Sequence, residues 1–512
     1  MLALPAAVFV LGRIAPARAF SGNPFALGVA SGNPGPDRVV LWTRLAPEPL
    51  SPDPDRPGGM PVEPVPVAWE IATDRQMTQV VRNSSIEAMP QTAHAVHVEC
   101  VGLEPGRDYW YRFLAGGEAS PVGRTRTAPA AGGRLDRLRF GFASCSNYEF
   151  GYFSAYRHLA EEHPDLVLFL GDYIYEYVAP AKKKVRVHSD GVEVTDLRTY
   201  RNRYAQYRTD PDLQQLHAAA PCLMTWDDHE VQNDYADRWS QDFADPQAFL
   251  ARRAAAYRAF WEHMPLPLSA MPQGPKAMIH GRHDFGDLTS FYVVDGRQYR
   301  SRLACDRPPK GGGKQLTDVD CPERLDPARS YLGMAQEEWL YGQFRRPTAK
   351  WNILAQEQLM ADLKERLKDG RIAHWSEDWN GFPAARGRLL GQLHETRLAN
   401  PVVIGGDIHS FWANDLKLDF DDPHSATVGS EFVCTSITSP GPPYDMFAAW
   451  LPDNPHVKFF DSRKRGYVSA ELQPQRLSVA FRAVSDVTDP KADVMTLQRF
   501  VVEDGKPGPV PA

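Results

Sequence analysis

Asp165-Leu-Val-Leu-Phe-Leu170, running straight into Gly171-Asp172-Tyr-Ile-Tyr175, is the stretch that decides the fold. An almost wholly apolar run of this length reads as a strand covered on both faces. The glycine that ends it opens a turn carrying a carboxylate and a phenol. Four further motifs share that placement after an apolar or β-branched run: Ser144-Cys145-Ser146, Asp227-Asp228-His229-Glu230, Ile353-Leu-Ala-Gln356 and Gly406-Asp407-Ile-His409. Strand ends are where an α/β fold gathers residues distant in sequence. Amphipathic stretches around Tyr152–His163, Phe249–Met264 and Gln356–Lys368 predict helices between the strands, and the alternation predicts a layered α/β domain over residues 138–500. Gly466–Val484 reads as a hairpin.

Working outward, residues 22–128 read as all-β. Short runs at Arg38–Thr43, Val65–Trp69 and His94–Glu99 are separated by turn signals such as Gly32–Pro36 and Pro105-Gly106. Leu103–Tyr111 resembles the tyrosine-corner stretch of fibronectin-III/Ig-like sandwiches. Thr127–Gly133 reads as a linker. Residues 1–21 read as a signal segment: Leu2–Gly12 is apolar, and Ala17-Arg18-Ala19 precedes Phe20 in a small-x-small pattern. That predicts a periplasmic or secreted protein. No later run reaches the roughly 18 apolar residues of a membrane span, so no transmembrane segment is expected.

The chain has 512 residues, enough for more than one domain. Lys+Arg 57 against Asp+Glu 64 leaves a net charge of −7, which argues against nucleic acid or an anionic membrane as a stable partner. Of its six cysteines, Cys305 and Cys321 bracket a Gly/Pro/Lys-rich loop and read as a disulfide, as suits an exported protein. Cys100, Cys222 and Cys434 sit in apolar runs and read as core thiols. Gly311-Gly-Gly-Lys314 lacks the spacing of a phosphate-binding loop.

The motifs offer two donor sets. Cys145, Asp172, Tyr175 and His409 supply a thiolate, a carboxylate, a phenolate and an imidazole, which suit a redox-capable transition metal such as iron. Asp228, Gln356 and Asp407 supply only oxygen, which suits a hard cation such as Ca²⁺ or Mg²⁺. Each residue alone has a plainer reading. Cys145 would be a small buried hydrophobe, Asp172 and Gln356 helix caps, and Tyr175 core. Occurring together at strand ends, they point to a metal centre with two ions, the usual clamp for phosphate esters.

The set resembles the calcineurin-like metallophosphoesterases and, within them, the PhoD-type alkaline phosphatases. Gly171-Asp172-Tyr-Ile-Tyr175 fits a Gly-Asp-x-x-Tyr motif. Asp227-Asp228-His229-Glu230 stands where related enzymes carry Gly-Asn-His-Glu, Gln356 where they carry a histidine, and Gly406-Asp407-Ile-His409 where they carry Gly-His-x-His. Cys145 takes the place of the first-motif aspartate. Leu27–Pro34 and Val40–Leu45 extend the likeness into the N-terminal part. The resemblance implies a layered metallophosphoesterase sandwich with an N-terminal β-domain. It implies Fe³⁺ on Cys145, Asp172, Tyr175 and His409, and Ca²⁺ on Asp172, Asp228, Gln356 and Asp407. His229 would face the substrate as hydrogen-bond donor or general acid. The implied reaction is hydrolysis of small phosphate mono- and diesters by in-line attack of a metal-bound hydroxide. A phospholipase-D-like or nucleotide phosphodiesterase on the same centre is the alternative.

Overall fold

The computed structural model describes residues 20–512, so most of the signal-like segment lies outside the described residues. Within each sheet the motif-bearing strands are parallel to one another. Leu138–Ala143, Leu166–Leu170 and Cys222–Thr225 run side by side in a ten-stranded sheet. Trp351–Ala355 and Pro401–Gly405 run side by side in a seven-stranded sheet, with Thr289–Val293 parallel at their flank. Parallel pairing puts the carboxyl ends of neighbouring strands on one edge, which is how five motifs spread over some 260 residues come to lie together.

The two sheets pack face to face. Phe140, Leu168 and Leu223 of the first share one buried cluster with Phe291, Ile353 and Ile404 of the second. Helices Ser154–Glu161, Leu197–Arg208 and Pro246–His263 bury their apolar sides on the outer face of the first sheet. Helices Met334–Phe344 and Pro383–Glu395 do so on the second. Both sheets are thus covered on two sides, as their unbroken apolar strands require.

One expected helix is absent. From Gln356 to Lys368 the chain is irregular apart from the short strand Glu365–Arg366. Its amides are claimed from outside. Glu431 accepts the N–H groups of Met360 and Ala361 at 2.6 and 3.0 Å, Asn380 that of Leu363 at 3.1 Å, and Asn454 that of Lys364 at 2.9 Å. These bonds replace the i→i−4 ladder that amphipathic spacing alone suggested. The same segment pairs with Ile372–Trp375, which pairs in turn with Gln315–Leu316, in a small three-stranded sheet.

Residues 20–128 hold only strands and short 3-10 turns. Arg38–Arg44 and Ala95–Val101 face Val65–Ala72 and Asp108–Ala115 across a core that includes Leu41, Val98, Val67 and Tyr111. The Tyr109 hydroxyl accepts the Glu104 N–H at 2.9 Å, closing the expected tyrosine corner.

Cys305 and Cys321 are bonded, and the other four cysteines are free and buried. The stapled loop is pinned at two further points: the Gly313 N–H donates to Asp234 at 2.8 Å and the Lys314 N–H to Ser376 at 3.0 Å. Closing a loop of this length stabilises by about 3 kcal/mol in the chain-entropy model. Reduction and alkylation should therefore speed proteolytic nicking between Pro308 and Lys314, and non-reducing peptide mapping should recover the linked pair. Free thiols at both positions in protein purified without reductant would contradict this.

Candidate metal centre

The loops that carry the motifs have unusual backbones. Cys145, Asp172, Asp407 and His409 are all left-handed, with φ of 61°, 53°, 62° and 54°. Such conformations cost on the order of 1–3 kcal/mol each and persist only where the surroundings impose them. Asp407 and His409 therefore lie in the turn after Pro401–Gly405, rather than alternating along the strand end. At Gly171, with φ of 88°, a Cβ would run into Asp227; at Gly406 it would run into Ser144. The glycines let neighbouring motif loops touch.

A buried carboxylate ties three of these amides together. Glu230 accepts the N–H groups of Asp172 at 3.1 Å, Tyr173 at 2.5 Å and Asp227 at 2.8 Å. Burial nevertheless pushes its carboxyl up to about 7.

Ligand atoms of Cys145, Asp172 and His409 lie within 4.8 Å of one another. The Tyr175 hydroxyl joins them, donating to Asp172 at 2.8 Å and lying 3.1 Å from His409 Nε2. His409 Nδ1 sits 2.9 Å from the Pro440 carbonyl, which can only accept, so Nδ1 carries the proton and Nε2 faces the group with its lone pair. A second group, sharing Asp172, brings Asp227, Asp228 and Asp407 within the same 4.8 Å. Gln356 is not gathered in the same way. Its carboxamide oxygen accepts the Gln358 N–H at 2.9 Å and the Trp379 Nε1–H at 3.1 Å. Both its lone pairs are thereby occupied, and it must release one of these bonds to act as a ligand.

Negative charge dominates. Burial, reinforced by neighbouring carboxylates, pushes Asp172 and Asp407 well above the usual carboxylate range. Burial and the Asp172 and Asp407 charges do the same to the Cys145 thiol. Burial also works to raise Asp228, but Arg297 and His229 outweigh it and hold that carboxyl low. Buried Asp172 Oδ1 and Asp227 Oδ2 have no hydrogen-bond partner among the described residues. Orphaned anionic oxygens beside a thiol, a phenol and an imidazole fit cations.

His229 faces the same cavity, which measures about 790 Å³. Its Nδ1 donates to Glu176 at 2.7 Å, and Glu176 also accepts the Asn233 N–H at 2.8 Å. Nε2 is left for the cavity. Against burial, the charges of Glu176, Asp228 and Asp172 hold the imidazole well above its usual pKa.

Several participants escaped the sequence reading. Fully buried Arg297 bonds Asp227 and Glu377 and lies 3.7 Å from Asp228. Val294-Asp-Gly-Arg297 follows the strand Thr289–Val293, so the strand-end rule that picked out five motifs also applies to it. Glu377 had no such signal.

A PhoD-like phosphatase family model matches residues 140–481, and a model of the N-terminal domain of PhoD-like phosphatases matches residues 12–129. Alkaline phosphatase D of Bacillus subtilis (strain 168) is 44% identical over 496 residues, covering 96% of this chain and 82% of that protein. The chain belongs to the PhoD-like phosphatase family. It is a phosphatase, a hydrolase of phosphoric esters. A solved structure titled as that of PhoD superposes on this phosphatase with a TM-score of 0.90 at 43% identity, covering 97% of this chain and 93% of that one. The mixed α/β fold is therefore shared along nearly its whole length.

Replacing Glu230 by Ala would leave three buried N–H groups bare, each costing about 1–3 kcal/mol. The urea midpoint of the phosphatase should fall and its retention of metal on a desalting column should weaken. An unchanged midpoint would remove Glu230 as the tie between the loops.

Proposed function

We propose that this phosphatase is an exported enzyme that hydrolyses phosphate mono- and diesters at a dinuclear Fe³⁺/Ca²⁺ centre. The observation that carries the reading is the pair of donor groups sharing Asp172, one mixed and one all-carboxylate, opening on one cavity with His229. Cys145, Asp172, Tyr175 and His409 would hold Fe³⁺; Asp172, Asp228, Asp407 and, with one bond released, Gln356 would hold Ca²⁺. Bound there, the cations would draw charge from the phosphate oxygens and make a water acidic enough to serve as nucleophile.

The chain's own residues do the rest. His229 Nε2 donates a hydrogen bond to a phosphate oxygen or a proton to the departing alkoxide. Glu176 keeps the ring turned so that this nitrogen faces the cavity. The Tyr175 ring packs against His229 at a centroid distance of 4.2 Å, which holds the imidazole in place. The face-to-face sheets and the N-terminal strands support a metallophosphoesterase sandwich with a fibronectin-III/Ig-like domain in front of it. The Cys305–Cys321 disulfide supports a periplasmic or secreted location. Recovery of the protein in the cytosolic fraction with both thiols reduced would overturn that assignment. Among the described residues no helix is long and apolar enough to cross a membrane. The acidic cavity supports small esters rather than nucleic acid as substrate.

Iron on a phenolate colours a protein. Tyr175→Phe should bleach a visible charge-transfer band while the far-UV spectrum is kept, and a colourless, fully active wild type would sink the iron assignment. Calcium chelation should abolish activity and added Ca²⁺ should restore it; restoration by Zn²⁺ alone would contradict the hard-cation site. His229→Ala should lower kcat by about 10²–10⁴-fold with both metals retained. A smaller loss for nitrophenyl esters than for alkyl esters would mark leaving-group protonation, and an unchanged kcat would remove His229 from the reaction.

A further inference from the structure

The cavity is far larger than a phosphate group needs; pockets of roughly 300–1,000 Å³ hold whole drug-sized molecules. Its lining is not confined to the metal-centre residues. Trp375, Met446, Phe447 and Trp450 line it too, together with the carboxylate of Glu365. Glu365 and Trp375 lie on adjacent strands of the small three-stranded sheet, where Glu365 pairs with Ala373, two residues before Trp375. Alternation along a strand puts both side chains on one face. Trp450 is anchored to the same strand, its indole N–H donating to the Arg366 carbonyl at 3.3 Å and its ring 4.7 Å from Phe447.

Glu365 is only 3% exposed, yet it has no cationic partner among the described residues. Its single hydrogen bond is from the Gln315 amide at 2.6 Å. Of the other carboxylates of the lining, Glu377 is bonded by Arg297 and Arg300, Asp234 accepts the Gly313 N–H and the Gln241 amide, Asp378 accepts the Asn380 N–H and amide, and Asp172, Asp228 and Asp407 belong to the candidate metal centre. Lys314, the only Lys or Arg of the lining, is turned back to the Cys305 carbonyl at 2.8 Å. Trp375 is 38% exposed, and its ring sits against Gly313, where any Cβ would strike it. A buried carboxylate without a cationic partner, beside an open indole, is the chemistry that recognises alkylammonium ions.

We propose that this part of the cavity is a subsite for a positively charged ammonium group on the organic part of the ester, with Glu365 as its counter-charge and Trp375 as the ring face, backed by Trp450. The inference rests on the phosphatase reading and names a substrate class for it. An uncharged ester would fill the same space without meeting Glu365. A nucleotide or polyphosphate would bring a second anion towards it.

The test compares phosphocholine with neohexyl phosphate, in which carbon replaces the ammonium nitrogen at the same size, at about pH 9, above the value of about 7 to which burial pushes Glu365. The wild-type enzyme should favour phosphocholine in kcat/KM by about tenfold, the scale of a desolvated cation–aromatic contact. Glu365→Gln and Trp375→Leu should each reduce that ratio severalfold. If a variant fails to fold, wild-type inhibition still decides: tetramethylammonium should compete with nitrophenyl phosphate at lower concentration than neopentyl alcohol does. Equal rates for the two esters, a preference for neohexyl phosphate, or a full preference retained by Glu365→Gln would each overturn the subsite. Absence of hydrolysis of both esters and of nitrophenyl phosphate would instead strike the phosphatase reading itself, while calorimetric binding of tetramethylammonium would still test the subsite.

Discussion

Four aspartate side chains, those of 172, 227, 228 and 407, offer oxygens within 4.8 Å of one another, three of them buried. Two unit charges about 4 Å apart repel by about 4 kcal/mol even at an effective dielectric near 20. That repulsion is the constraint the rest of the site answers. Arg297 offsets part of it from behind, bonding Asp227 and lying close to Asp228. Bound cations would offset the remainder.

Holding like charges together also demands backbone that cannot yield. The left-handed turns at Cys145, Asp172, Asp407 and His409 store strain, and Glu230 secures two of the loops through their amides. The carboxylate that organises the centre therefore offers its oxygens to backbone N–H groups and not to a cation. The Asp-Asp-His-Glu motif thus combines three roles in consecutive residues: one partner for Arg297, one candidate ligand with the cavity-facing imidazole beside it, and one structural tie.

Much of this was legible in the chain. Apolar strands ending in Gly-Asp, Asp-Asp-His-Glu and Gly-Asp-x-His announce parallel sheets and a site at their carboxyl ends, because burial on both faces and the turn that follows are local properties. The failures were non-local. Gln356–Lys368 has the spacing of a helix, but Glu431, Asn380 and Asn454, all distant in sequence, take its amides. Gln356 reads as a free oxygen donor, and only the fold shows Trp379 and the Gln358 amide already using it. Arg297 and Glu377 form a buried ion pair across 80 residues, and no spacing rule reaches that far.

The family models divide this chain between residues 129 and 140, but hydrogen bonding ignores that division. Gly32 pairs with Cys222, so the N-terminal strands continue the same sheet that bears the Asp172 and Asp228 loops. The Asn33 N–H reaches the Cys222 carbonyl at 3.0 Å, the Trp42 indole N–H donates to the Glu262 carbonyl at 3.1 Å, and His97 stacks on Trp261. Cutting at the linker would bare the edge of the strand Cys222–Thr225, whose far end leads straight into Asp227 and Asp228. What inheritance treats as two modules is mechanically one plate, and exchanging the front half between relatives would shift the footing of the chemistry in the back.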